Sequence, residues 1–170
     1  DNDGQMEIVF GNSSGKLYII NQDGSQQLAY TQLGFVEGAP ALVDIDGDQD
    51  LEIIFTTTTG SGGQVYVIHH NGATESGFPK EIGSMFAGPA VHDLDNDGVV
   101  DVVCVTYDKE IYAIEAIGGA IKSGFPFTAE SRFSMPATIV DVDSDGDYEI
   151  AAGCNSGDLY ILHHDGTIHS

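Results

Sequence analysis

Basic residues are scarce. Lys and Arg number 5 against 27 Asp and Glu in 170 residues, a formal net charge of -22 and a pI near 4.1. Such a polyanion is repelled by nucleic-acid phosphates and by anionic lipid surfaces, so neither partner is expected. No apolar run approaches the ~20 residues that cross a bilayer as a helix, so membrane insertion is not expected either. No stretch keeps 3.6-residue apolar spacing over ten or more positions, which argues against helices. A nucleophile elbow, a Walker loop and a His-Glu-x-x-His pair are all missing, and an enzyme is not expected. Residue 1 opens a polar, Asp-rich segment and not a leader, so the chain is expected to be a mature form or a piece of something longer. What remains is enough for a core: 41% of residues are apolar and the mean hydropathy is -0.05, unlike a disordered acidic chain.

The negative charge is concentrated. Seventeen of the 27 acidic residues fall in four clusters: Asp1, Asp3 and Glu7; Asp44, Asp46, Asp48, Asp50 and Glu52; Asp93, Asp95, Asp97 and Asp101; Asp141, Asp143, Asp145, Asp147 and Glu149. Two like charges ~4 Å apart repel by roughly 4 kcal/mol at an effective dielectric constant near 20. No Lys or Arg stands inside a cluster in the sequence, so the compensating charge is expected from solvent, as a divalent cation. The alternative, a solvated acidic loop without an ion, is weakened by fourfold recurrence.

That recurrence is regular. Asp1, Asp46, Asp95 and Asp143 are 45, 49 and 48 residues apart. A tetrad centred on tyrosine follows each cluster, with Tyr18, Tyr66, Tyr112 and Tyr160 spaced by 48, 46 and 48. Ala39-Pro40-Ala41, Gly88-Pro89-Ala90 and Met135-Pro136-Ala137 precede the last three clusters, and Gly77-Phe78-Pro79 matches Gly124-Phe125-Pro126. Each unit reads as four short strands. In the second they are Ala41–Val43, an apolar and β-branched run from Leu51 to Thr57, Val65–Ile68 after a glycine turn, and a weaker Phe78–Ile82. Asn71-Gly72 is a hairpin signal. The run after each acidic loop is nearly continuously apolar, as in a strand covered on both faces, and belongs near the inside of the unit. Tandem four-stranded units of this length predict an all-β fold, a β-propeller. The units fall at about 1–38, 39–87, 88–134 and 135–170, all within one propeller segment. The first and last are incomplete, which predicts a portion of a larger ring or one completed by another chain. A homo-oligomer or fibre joined through the terminal units is part of that expectation.

Aligned on their first Asp, the third and fourth clusters place carboxylates at positions 1, 3, 5 and 9 and Gly at position 6. Alternating carboxylates around a sharp glycine turn suit a hard cation, Ca²⁺ before Mg²⁺. An EF-hand is excluded, because position 12 is Cys104 or Ala152 and a strand follows where its exiting helix would begin. The pattern Asp-x-Asp-x-Asp-Gly-x-x-(Asp/Glu) between two strands, followed by a Gly-x-Leu-Tyr-like strand, resembles the FG-GAP (VCBS) repeats of integrin-α-type propellers. The resemblance covers four copies and implies Ca²⁺ ligation by Asp93, Asp95, Asp97 and Asp101; by Asp141, Asp143, Asp145 and Glu149; and by Asp44, Asp46, Asp48 and Glu52. The second loop departs from the pattern: Gln49 stands where Gly is expected and Gly47 lies two positions earlier, so a weaker or reshaped site is expected. The first loop offers only Asp1, Asp3 and Glu7.

The resemblance implies a calcium-stabilised, non-catalytic scaffold, extracellular or at the cell surface, for adhesion or for recognition of a protein or glycan. The alternatives are an accessory propeller domain of a secreted hydrolase or lyase, and a lectin in which the repeated tyrosines stack on sugars. Those tyrosines are read first as packing. His69-His70 and His163-His164 follow the Tyr strands and are expected to be turn-flanking surface residues, since neighbours in a strand point to opposite faces and cannot chelate one ion together. Cys104 and Cys154 are expected to be buried free thiols. Asn12-Ser13-Ser14 is an N-glycosylation acceptor triplet.

Overall fold

The computed structural model describes residues 4–31, 34–60 and 62–169. Among these residues there is no helix, and fourteen strands form four antiparallel sheets in chain order. The first sheet holds β1 (Ile8–Asn12), β2 (Lys16–Ile20) and β3 (Gln26–Tyr30). The second holds β4 (Ala41–Val43), β5 (Glu52–Thr59), β6 (Gly62–Ile68) and β7 (Lys80–Glu81). The third holds β8 (Ala90–His92), β9 (Asp101–Val105), β10 (Glu110–Glu115) and β11 (Phe127–Thr128), and the fourth β12 (Thr138–Val140), β13 (Glu149–Gly153) and β14 (Leu159–Leu162). Every sheet is a simple meander. The short strands β4, β8 and β12 neighbour one another, which sets the four sheets radially like blades. In the second, third and fourth blades the strand after the acidic loop, β5, β9 or β13, takes the second place.

The alternation of a strand decides which neighbour each side chain meets. In β5, Ile53 and Phe55 pack with Leu17, Ile19, Tyr66 and Ile68 between the first and second blades. Ile54 turns the other way, to join Val102, Cys104 and Ile114 between the second and third. In β9, Val103 and Val105 lie with Ile150, Ala152 and Leu162 between the third and fourth. Each such aliphatic side chain contributes about 2 kcal/mol when fully withdrawn from water. The core is thus three slabs between blades, and β5 and β9, covered on both faces, carry the apolar runs Ile53–Phe55 and Val102–Val105. The outer faces of the first and last sheets are open: Ile8 and Leu159 are 64% and 65% exposed.

The repeated tyrosines pack. Tyr66 stacks on Phe55 with ring centroids 4.9 Å apart and is 8% exposed. Tyr160 lies against Phe127 and Phe133, and its hydroxyl accepts the N–H of Glu130. Cys104 and Cys154 are buried, free thiols. Asn12 closes β1 at a hairpin, its side-chain oxygen accepting the N–H groups of Ser14 and Lys16.

Candidate metal centre

Each of the second, third and fourth acidic loops joins the innermost strand of its blade to the next strand out. Its two ends are held by strand register: Val43 faces Glu52, His92 faces Asp101, and Val140 faces Glu149. Position 9 is therefore the first residue of β5, β9 or β13, and all three of these carboxylates are fully buried. In every loop the position 9 carboxylate accepts the backbone N–H of position 2: Ile45 to Glu52, Leu94 to Asp101, Val142 to Glu149. The position 1 carboxylate accepts N–H groups from the following turn, those of Gly47 and Gln49 at Asp44, Asp97 and Gly98 at Asp93, and Ser144 at Asp141. At position 5, Asp48, Asp97 and Asp145 accept the N–H two residues on. Bonds to ionised acceptors are the stronger kind, and here they fold the loop around its own carboxylates.

This wrapping needs two left-handed residues. Positions 4 and 6 have φ of 81° and 76° at Gly47 and Gln49, 55° and 90° at Asn96 and Gly98, and 64° and 104° at Ser144 and Gly146. The exchange of Gly and Gln in the second loop moves the glycine from one left-handed position to the other and leaves φ positive at both.

Among the described residues, three sets of carboxylate oxygens lie within 4.8 Å of one another: Asp44, Asp46 and Asp48; Asp93, Asp95 and Asp101; Asp141, Asp143 and Glu149. Glu52, Asp97 and Asp145 fall outside these sets and are held by the N–H groups already named. Asp1 and Asp3 lie outside the described residues; of the first cluster only Glu7 is described. The chemistry of the sets fits a hard divalent cation, being oxygen throughout. One observation supports the fit. Asp95 Oδ1 and Asp101 Oδ1 are buried with no hydrogen-bond partner, a costly state for carboxylate oxygens that a cation would relieve.

The structure corrects two expectations. First, the histidines are half-buried and face the loops. His69 Nδ1 lies 3.1 Å from Glu52 Oε1 and His163 Nδ1 3.3 Å from Glu149 Oε1, while His70 and His164 reach Asp50 and Asp147. Register explains it: Ile53 pairs with Ile68 and Ile150 with Leu162, so the next residues, Glu52 with His69 and Glu149 with His163, stand opposite. His69 also meets Glu75; burial would lower its pKa, but Glu75 and Glu52 outweigh that and raise it. Second, a basic residue does enter a cluster. Lys122 Nζ lies 2.9 Å from Asp95 Oδ2 and 3.0 Å from Asp101 Oδ2, with its side chain 8% exposed. Burial pushes Asp101 up to about 6 despite Lys122. Burial acts the same way on Asp95, but there the ammonium prevails and holds the carboxyl below its usual value. Lys122 is 21 residues beyond Asp101, past a hairpin, and no sequence spacing announces the contact.

Radial four-stranded meanders with acidic strand-to-strand loops define β-propeller blades. The sequence profile of the FG-GAP-like repeat matches residues 1–55 and 44–104, and the chain belongs to that family. No curated protein matches the sequence significantly. Among solved structures the chain is similar to BBS1N, crystallised in complex with ARL6DN, at a TM-score of 0.65 and 16% identity over 99% of this chain and 53% of that one. It is also similar to BamB from Moraxella catarrhalis (TM-score 0.67, 17% identity, 100% of this chain and 47% of that one). A third is the C-terminal domain of Pseudomonas aeruginosa PilY1 (TM-score 0.65, 22% identity, 91% and 37%). The chain spans about half or less of each of these structures, and at such identities the likeness is one of fold.

Proposed function

We propose that this chain is a calcium-stabilised, non-catalytic propeller scaffold that works outside the cell or at its surface and presents a rigid face to a protein partner. The observation that carries the reading is the repeated loop: three sets of converging carboxylates, one in the corresponding loop of each of three blades. Calcium at these loops ties the inner two strands of each blade together. Sites built mainly from short Asp side chains on exposed loops suit millimolar calcium, which is the extracellular supply. Among the described residues, the clustered carboxylates of the second to fourth blades are engaged in hydrogen bonds, ion pairs or the carboxylate sets, which favours ligation over acid–base chemistry. A protein ligand is favoured by the open propeller architecture, and by the similar BBS1N having been crystallised with another protein.

The test is thermal. A ligand bound only by the folded state raises stability with its free concentration. The melting temperature should rise with calcium over the micromolar to millimolar range and fall in EDTA. A melting temperature indifferent to both, with magnesium absent, would sink the calcium reading.

A further inference from the structure

The three loops are not equivalent, and the difference lies on the neighbouring hairpin. Glu75, Lys122 and His169 occupy one structural position: their N–H groups donate to the carbonyls of Val67, Ala113 and Ile161, which are matching residues of the Tyr strands. From that position Glu75 meets His69, His169 meets Asp143, and Lys122 meets Asp95 and Asp101. The facing residue differs as well. Position 9 has a histidine opposite it in the second and fourth blades, but Asp101 pairs directly with Glu115. Like charges directly across a strand pair are unfavourable, so the third loop needs a cation more than the others do. It also has one carboxylate fewer. Residues 93–101 carry four carboxylates, against five in 44–52 and five in 141–149.

We propose that Lys122 is the resident counter-ion of the third loop: its ammonium sits on one oxygen of each of two carboxylates that a divalent ion would share, Asp95 and Asp101, so this loop folds without metal and is the weakest calcium site of the three. The inference rests on the calcium reading of the other loops. An ion entering the third loop must displace the ammonium from Asp95 and Asp101 or bind beside a positive charge held within 3 Å of the same carboxylates. Either costs affinity. In the second and fourth loops the corresponding hairpin residues are an acid and a histidine, and no ammonium stands in the way.

The experiment is calorimetric titration of calcium into chelator-stripped protein, with melting temperatures in EDTA alongside. Lys122→Met should add one calcium site, or tighten the weakest by about tenfold or more, as removal of an adjacent unit charge requires. Lys122→Arg keeps the charge and should add none. Asp95→Asn should leave the tight calcium sites of the wild type unchanged, but should abolish the site gained in the Lys122→Met background. If Asp95→Asn alone removes a tight site, or if Lys122→Met gains nothing while wild-type protein binds calcium elsewhere, the proposal is overturned and the calcium reading stands. If neither protein binds calcium, that reading fails, and the EDTA melt judges the counter-ion. Lys122→Met must then melt below both wild type and the control Lys80→Met; an equal melting temperature overturns the proposal.

Discussion

Val142 gives its backbone N–H to Glu149 Oε2 at 2.9 Å, closing the fourth loop across seven residues, while Glu149 Oε1 faces His163. One buried carboxylate thus serves as a structural acceptor and as a member of the metal set. Two substitutions separate the roles. Glu149→Ala strips the acceptor from a partly buried N–H and should destabilise the fold by about 1–3 kcal/mol even in EDTA. Glu149→Gln keeps an acceptor oxygen and loses the charge, so it should stay close to wild type in EDTA and lose part of the calcium-induced rise. Urea denaturation with and without calcium reads both. Equal losses for the two variants in EDTA would show that the acceptor role is unimportant.

In the second loop, Gln49 has φ of 76° while its N–H donates to Asp44 Oδ2. The left-handed conformation costs a residue with a Cβ roughly 1 kcal/mol, and the hydrogen bond belongs to the backbone, so any residue can make it. Gln49→Gly should therefore stabilise the protein by about 0.5 kcal/mol, the strain relieved less the added freedom of the unfolded chain. Asn96→Gly should give less, because Asn tolerates this region. A higher urea midpoint for Gln49→Gly at unchanged slope is the expected outcome; a lower one would mean that the Gln side chain has a role the backbone does not reveal.

Gly124 and Gly146 both have left-handed φ, 87° and 104°, but their surroundings differ. A Cβ on Gly124 would overlap the carbonyl of Asp165 in the hairpin of the next blade, whereas nothing lies within 4 Å of one on Gly146. Gly146→Ala should cost about 1 kcal/mol, the backbone term alone. Gly124→Ala adds a clash with main chain that cannot rotate away, and should cost about 2–4 kcal/mol in total. Similar costs for the two, measured by denaturation in EDTA, would mean that the hairpins of adjacent blades separate easily.

The blades were legible in the sequence because each has its own punctuation. An Asp loop, an apolar run and a Tyr strand recur at nearly fixed spacing, a Gly-Phe-Pro corner marks the second and third units, and covered strands such as β5 and β9 show as largely apolar and β-branched runs. The converging loop carboxylates were legible for the same reason, although Glu52, Asp97 and Asp145, expected among them, fall outside the sets. Less legible was what surrounds them. Lys122 reaches Asp101 only because a hairpin folds back beside the loop, and the charge of one residue says nothing of that path. The histidines opposite Glu52 and Glu149 follow from strand register, which a two-residue frame around the tyrosine does not convey. Left-handed Asn96 and Ser144 went unseen because the alignment drew attention to the glycine at position 6, while position 4 is filled by Gly, Asn or Ser.

The two thiols should react very differently. Cys104 is enclosed between the second and third blades, and burial pushes its pKa up to about 12. Cys154 sits just beyond β13, its Sγ 2.9 Å from the hydroxyl of the exposed Ser156, which holds its pKa below the ordinary thiol value. The thiolate is the nucleophile, and Cys154, 7% exposed against 1% for Cys104, is the less enclosed of two buried thiols as well as the one of lower pKa. Ellman's reagent added to the native protein at neutral pH should modify one thiol per chain, which Cys154→Ser removes, and the second should react only as the protein unfolds. Ser156→Ala should slow the first reaction by raising the thiol's pKa. Two thiols reacting at one rate in native protein would mean that the slab between the second and third blades opens to solvent, and would contradict the packing of Cys104 against Val65 and Ile114.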